Sequence, residues 1–461
     1  MPFKLFDYQQ RIVDEARQKI GQGNNGVLIV SPPGSGKSVI IAEIARLTVS
    51  KGGRILFFVH RQELVNQIVK SFQKQNVDLT NCTIMTVGKV ANRLDRLPKP
   101  NLIICDESQH SRAKTYLKIF KYYSDVPRLG FSGSPWRMNG AGFDDIYSAM
   151  VKGPTVKWLI EHKKLSPYKY YSATLFNSEK LKKSSTGDYT NQSINDSAKS
   201  TLYGDIVKTW MDKAFGQRTI VYAHDTQHSK RIAAEFRKAG ISAKHCDSKT
   251  PSDERKRIMR DFREGKITVL CNFGLVDEGY DVKECTCCVI ARPTKSLVFN
   301  IQATMRCMRY LPNKIATIID HAANYKQHGM PDTERQWSLK SRGNKRSNNV
   351  EVDEAFTICP DCFAVGREED FFRACKIHKD ENGKPINGKV CFNCKSFIPS
   401  PKKDTKLKQI KEIELKDITN IRFVVTKDWR KAKSRKELYE IAKQKGYKPG
   451  WAFYKAKQLN L

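Results

Sequence analysis

Runs of consecutive apolar, often β-branched residues recur along the first 150 positions: VLIV at 27, ILFFV at 55, TIMTV at 83, LIIC at 102 and RLGFSG at 128. Between them, polar and apolar positions alternate with a helical period. Strands buried on both faces show such unbroken apolar runs, so the rhythm predicts a parallel sheet covered by helices. A stretch rich in Ser, Asn and Lys, NSEKLKKSSTGDYTNQSINDSAKS at 177–200, interrupts the pattern and reads as a surface excursion. The pattern restarts with TIVYA at 219, the amphipathic SKRIAAEFRKAG, ITVLCN at 267 and CCVIARP at 287, and ends near Tyr325. Two α/β lobes in series are expected, with a cleft between them.

These shifts place a first lobe over 1–175, a polar connection over 176–204, a second lobe over 205–338, a charged linker over 339–355, a cysteine-bearing module over 356–398 and a basic tail over 399–461. In the tail, SRKELYEIAKQKGYKPGWAFYKAKQ predicts two short helices joined at Gly446–Gly450. No repeat of solenoid length is present.

Charge narrows the choice of partner. The 461 residues include 82 Lys and Arg against 48 Asp and Glu, a formal charge of +34, which calls for a polyanion and for nucleic acid first. Residues 395–461 alone carry 19 basic and 7 acidic side chains. An anionic membrane is the weaker candidate, because no basic amphipathic anchor or long uncharged run occurs and MPFKLFDYQQ lacks the apolar core of a signal peptide. The 13 cysteines are odd in number and several, such as Cys105, Cys271 and Cys288, sit in apolar runs, which suits packing in a reducing cytosol.

Candidate chemistry begins with SPPGSGKS at 31–38, between the strand VLIV and the helical VIIAEIARL. Pro33, Gly34, Ser35 and Gly36 would let backbone N–H groups curl around phosphate oxygens, Lys37 would reach the β and γ phosphates, and Ser38 would ligate Mg²⁺. Ser31 stands where the strict pattern has Gly, so this is its looser form. LIIC then runs straight into Asp106 and Glu107. Beside a phosphate loop, Asp106 can hold Mg²⁺ and Glu107 can deprotonate the attacking water, so the pair is a candidate nucleotide-hydrolysis pair. QATMRCMR at 302–309 adds Arg306 and Arg309, three apart on an expected helical face of the second lobe, as positive charge for the transferring phosphoryl group. Such chemistry would depend on the lobes closing.

Two further groups of residues stand apart. CPDC at 359–362 and CFNC at 391–394 form a C-x₂-C pair of pairs, so Cys359, Cys362, Cys391 and Cys394 are candidate ligands of a structural zinc. The 28 residues between the pairs exceed the usual spacer, and Cys375 and His378 within it are alternative ligands. Near the C-terminus, Lys448, Lys455 and Lys457 interleave with Trp451, Phe453 and Tyr454, a mixture that suits nucleic acid, although Trp451 equally suits a small core.

In order and spacing these motifs resemble the superfamily 2 helicases and translocases of DEAD/DEAH type, with two RecA-like lobes. LFDYQ resembles the Q-type motif and implies Gln9 on the adenine. VHRQEL and TVGKV resemble the strand-contacting motifs and imply His60, Arg61 and Thr86 on the nucleic-acid backbone. FSGSP stands at the coupling segment; NFGLVDEGYD resembles the fifth motif and implies Gly279 and Asp281 near the nucleotide; the sixth motif implies Gln302 with Arg306 and Arg309. DESQHSRAKTY, ARPTKSLVFNIQATMRCMR, DHAANYKQHGMPDTERQWSL and YKPGWAFYKAKQ most resemble RadD-like bacterial and phage DNA-repair helicases.

The resemblance implies an ATP- and Mg²⁺-dependent motor that unwinds or remodels DNA, with branched repair, recombination or replication intermediates as substrate and a single-strand-binding or recombination protein as partner. It implies a cytoplasmic, nucleoid-associated location, or the host cytoplasm for a phage product. A double-strand translocase that does not unwind, an RNA helicase and a non-enzymatic clamp are the alternatives. The chain departs from the family at Gln109, where DEAH-type members have His, at Met305 in place of Gly, at FSGSP in place of Thr-Ala-Thr, and at Phe6, where many relatives have Arg. Gln109 is expected to hydrogen-bond across the cleft through its amide.

Overall fold

The computed structural model describes residues 2–135, 142–172, 181–182, 188–190, 193–194, 202–275 and 282–340, short stretches between 356 and 399, and Leu438 and Lys455. The chain divides into two compact units, Met1–Tyr168 with Thr174–Val350 and Lys169–Ala173 with Glu351–Leu461. The larger unit holds both expected lobes.

The first lobe is a parallel sheet of β1 (Gly26–Val30), β2 (Ile55–Val59), β3 (Cys82–Thr86), β4 (Leu102–Cys105), β5 (Arg128–Ser132) and β6 (Ala149–Lys152), in the order β3-β2-β4-β5-β1-β6. Strands β1, β2 and β4 are buried along their whole length, which is why their sequences do not alternate. Strand β5 lies between β1 and β4, pairing Leu28 with Gly130 and Ile104 with Leu129. The phosphate loop after β1 and the acid pair after β4 are therefore one strand apart instead of on adjacent strands. The edge strand β6, AMVK, is too short and too mixed for the apolar pattern to reveal.

A further strand, β7 (Tyr168–Ser172), follows the first sheet in the chain. The second lobe carries β8 (Thr219–Ala223), β9 (Ala243–Asp247), β10 (Val269–Phe273), β11 (Cys287–Ala291) and β12 (Ala316–Asp320), which run parallel in the order β12-β11-β8-β10-β9. Strand β9, AKHCD, leaves Lys244 exposed and so shows no apolar run. Cys105, Cys271, Cys285, Cys287 and Cys288 are buried, as packing residues should be.

The chain passes between the lobes twice. At the first crossing, Ser166 N donates to the Met308 carbonyl and Ala316 N to the Pro167 carbonyl, each at 2.8 Å. At the second, Trp337 and Leu339 pack against the first-lobe core of Phe58, Tyr116, Phe143 and Tyr147, and Phe143 N donates to the Leu339 carbonyl at 2.7 Å. Composition assigns Leu339 to the linker; its apolar side chain is drawn instead onto this core.

In the smaller unit, Phe356–Ile358 pairs with Val365–Arg367, and Gly388–Val390 pairs with both Phe372–Arg373 and Phe397–Pro399, all antiparallel. Cys391 is buried and opens a turn in which Lys395 N donates to its carbonyl at 3.0 Å. Cys359, Cys362, Cys375 and Cys394 lie outside the described residues, and His378 lies in a short strand opposite Ile386. Among the described residues, no group of three His, Cys, Asp or Glu side chains is placed to hold a metal ion. Lys448 and Lys457 also lie outside, as does most of the stretch expected to form two helices, while Leu438 and Lys455 within it are described as helical and Lys455 is partly buried. No described helix is long and apolar enough to cross a membrane.

Candidate active site

The loop after β1 is shaped by two glycines. Gly34 (φ +90°) and Gly36 (φ +83°) occupy the left-handed region, which glycine enters without steric cost. Partly buried Pro33 precedes them, and the helix Lys37–Val49 follows with Ser38 exposed in its first turn. Tyr8 Oη and Gln9 Nε2 both donate to the Ser35 carbonyl, at 2.7 and 3.2 Å, and a Cβ on Gly36 would collide with Gln9 Nε2. Gln9 thus braces the loop from the first helix. Lys37 Nζ donates to the Ser31 carbonyl at 3.1 Å, folded back into its own loop. Burial lowers its pKa, while Glu107 and Asp106 oppose that shift.

Across β5 stands the acid pair. Burial, and then the neighbouring Glu107, push the Asp106 carboxyl up to about 7. Lys37 opposes this rise only in part, so an oxygen donor here suits a divalent cation such as Mg²⁺. Glu107 has φ +52°, a conformation few non-glycine residues adopt, and its N–H donates to Asp106 Oδ1 at 2.9 Å.

Three amides and hydroxyls then tie Glu107 to its surroundings. Gln109 Nε2 donates to Glu107 Oε2 at 2.8 Å, and Ser132 Oγ donates to Gln109 Oε1 at 3.0 Å. Ser132 also accepts, through its carbonyl, the N–H of Ser31 at 3.0 Å. The FSGSP segment is thereby bonded to the phosphate loop and linked to Glu107 through Gln109. Across the cleft, Gln302 Nε2 donates to the same Glu107 Oε2 at 3.2 Å. The expectation for Gln109 is corrected here. It sits in the tight turn Ser108–His110 directly after Glu107 and bonds within its own lobe, whereas Gln302 makes the bond across the cleft.

Arg306 and Arg309 separate. The helix Leu297–Arg306 ends at the first arginine, and Arg309 lies beyond it in a β-bridge with Leu165, so a spacing of three does not put them on one face. A Cβ on Gly34 would stand 2.9 Å from Arg309 Nη1, which places that guanidinium over the phosphate loop. Arg306 is 8% exposed and lies beside Tyr222 inside the second lobe. In this arrangement one arginine faces the nucleotide loop and the other supports its own lobe.

Residues implied on the nucleic-acid side are placed less uniformly. The His60 ring lies 5.0 Å from that of His110, and Thr86 opens the helix Val87–Ala91. Arg61 reaches into the second lobe, donating to the Leu275 carbonyl at 2.9 Å and the Gly274 carbonyl at 3.3 Å. Gly279 and Asp281 lie outside the described residues. A cavity of 720 Å³ opens at the C-terminal ends of β8, β9 and β10, lined by Thr226, Lys230, His245, Lys249, Thr250 and Phe273 among others. Parallel α/β sheets bind ligands at that end. The apolar pattern does not single out these residues, although Asp225, capping the helix Thr226–Lys238 just past TIVYA, marks that end of the strand.

Two parallel-sheet lobes, a phosphate loop and acid pair in one, and an arginine and glutamine reaching them from the other define a two-lobed nucleotide-hydrolysing motor. Comparison with known proteins agrees. Residues 2–92 match the family described as "Type III restriction enzyme, res subunit", and residues 201–311 match "Helicase conserved C-terminal domain". A "51.5 kDa protein" of a Lactococcus phage (isolate 7-9) is 44% identical over 416 residues, 90% of this chain and 88% of its own. IRC3 of Saccharomyces cerevisiae, provisionally named an ATP-dependent helicase, is 26% identical over 339 residues, 66% of this chain. The chain spans about half of that relative's length, 49%. A structure titled as the ATP-dependent Type ISP restriction-modification enzyme LlaBIII bound to DNA shares the fold, with a TM-score of 0.53 at 16% identity over 69% of this chain and 28% of that one. The chain belongs to helicase superfamily 2 and is an ATP-hydrolysing helicase.

Proposed function

We propose that the protein is a DNA-stimulated ATPase that moves along DNA and opens it, with forked or branched intermediates of repair, recombination or replication as substrate. The bond from Gln302 to Glu107 carries this reading: the residue suited to activate water in one lobe is oriented by a side chain of the other. Mg²⁺ bound with ATP neutralises phosphate charge, and Ser38 and Asp106 are the residues that would hold it. Lys37 turns from the Ser31 carbonyl to the β and γ phosphates. Glu107 takes a proton from the attacking water, and Arg309 meets the charge developing on the γ-phosphate. Because Gln302 and Arg309 arrive from the second lobe, turnover requires the lobes together, which couples hydrolysis to movement.

DNA as the track is supported by the charge of +34, which suits backbone phosphates. His60, Arg61 and Thr86 contact the strand from the first lobe, and Lys448, Lys455 and Lys457 from the tail. The RadD-like segments support branched DNA, a cytoplasmic site of action and docking to a single-strand-binding or recombination protein. Cys359, Cys362, Cys391 and Cys394 close a structural zinc site in the same reading. The match to a restriction-enzyme subunit supports a second reading, translocation on duplex DNA without strand separation.

The test is ATP-dependent separation of a labelled forked DNA beside a single-tailed duplex and an RNA duplex, with Lys37→Ala as control. Opening of the fork, lost in Lys37→Ala, is expected. DNA-stimulated hydrolysis without any strand separation establishes the translocase instead, and preferential opening of the RNA duplex overturns the DNA reading.

A further inference from the structure

Arg309 lies three residues beyond the end of its helix, so the helix alone does not fix where its guanidinium points. Its backbone is held from two sides. From the inter-lobe crossing, Ser166 Oγ donates to the Arg309 carbonyl at 3.2 Å, and Leu165 forms the β-bridge with Arg309. From the second lobe, Lys314 Nζ donates to the same carbonyl at 2.9 Å, to the Cys285 carbonyl at 2.8 Å and to the Lys283 carbonyl at 3.1 Å.

That lysine is unusual. Its exposure is 9%, and no carboxylate among the described residues forms a salt bridge with it. Burying an ammonium without a counter-ion is costly, and an apolar side chain of similar length would fill the space without that cost. What the ammonium adds is geometry. Its three N–H donors match three backbone carbonyls, so it works as a tripod joining the turn that carries Arg309 to the segment that leads into β11.

We propose that Lys314 is a positioning residue for ATP hydrolysis, aiming Arg309 at the phosphate loop by holding its carbonyl. The inference rests on the assignment of Arg309 as the arginine that meets the γ-phosphate. A displacement of about 1 Å at a reacting group can cost up to a hundredfold in rate. Without the tripod, Arg309 keeps its chemistry and loses its aim.

The experiment measures kcat and KM for ATP at saturating DNA, together with melting temperature, in the full chain. The variants are Lys314→Met, Arg309→Ala and the double variant. Lys314→Met is expected to lower kcat on the order of tenfold with KM for ATP within about twofold. The double variant is expected to be no slower than Arg309→Ala, because both substitutions remove one function. Wild-type kcat in Lys314→Met, or a loss that multiplies with that of Arg309→Ala, overturns the proposal. Should Lys314→Met not fold, Lys314→Gln, which keeps an amide donor, is read in the same scheme. Normal turnover in Arg309→Ala overturns the assignment of Arg309 and this inference together, whereas slow Arg309→Ala beside normal Lys314→Met overturns this inference alone.

Discussion

Gln302 donates to Glu107 across the cleft between the lobes, Nε2 to Oε2 at 3.2 Å. Glu107 is therefore held from the opposite lobe as well as by Gln109 of its own. Glu107→Gln keeps shape and neutral hydrogen bonding but cannot take a proton, so it is expected to retain ATP and DNA binding and to lose roughly 10²–10⁴-fold in turnover. Gln302→Ala leaves the base intact and is expected to cost about tenfold in kcat through lost orientation. Steady-state hydrolysis with nucleotide-binding titrations checks both; wild-type turnover in Glu107→Gln removes that residue from the base position.

The two arginines of the sixth motif should part company on substitution. Arg309→Ala is expected to lower kcat roughly 10³-fold while leaving the melting temperature near that of the wild type. Arg306→Ala empties a buried site inside the second lobe and is expected to cost about 2 kcal/mol or more in stability. Denaturant titration beside ATPase assays separates these outcomes, and equal melting temperatures for the two variants would contradict the division of roles.

Acid should weaken the second lobe first. Burial is the leading cause that pulls His228 down to about 3 and His321 and His328 to about 4. Each binds fewer protons folded than unfolded between about 4 and 6.5, so its contribution is fully present above 6.5 and is lost as pH falls through that window. Neither ring nitrogen of His321 has a hydrogen-bond partner among the described residues. His321→Phe, of similar shape, is expected to raise the melting temperature at pH 7 and to flatten its decline toward pH 5. A parallel decline in variant and wild type would show that His321 does not contribute.

Metal removal addresses the cysteine pairs. The zinc reading predicts about one zinc per chain, displaced by a thiol-specific mercurial and bound less firmly in Cys391→Ser. Elemental analysis of the purified chain decides it. Since the motor lies in the other compact unit, zinc loss is expected to leave basal ATP hydrolysis intact.

Much of the scaffold was legible because its strands are buried on both faces: VLIV and LIIC have no solvent side and so announce themselves. AKHCD has such a side at Lys244, and it did not. The phosphate loop was legible because its backbone needs glycines at set positions. Partnerships were harder. Which of Gln109 and Gln302 crosses the cleft depends on where the turn after Glu107 ends, and a lysine ahead of ATIID gives no sign of closing on three carbonyls. The spacing of Arg306 and Arg309 misled because the helix stops between them.

The two crossings of the chain restrict how the motor can work. A pair of bodies joined at one point can slide, twist or swing; joined at two, they keep chiefly the swing about the line through both joints. Here one joint is at Leu165–Pro167, beside Gly34 and Arg309, and the other is where Leu339 meets Phe143. With the phosphate loop next to one joint, a swing about the line through both would move little there and reach farther with distance from that loop.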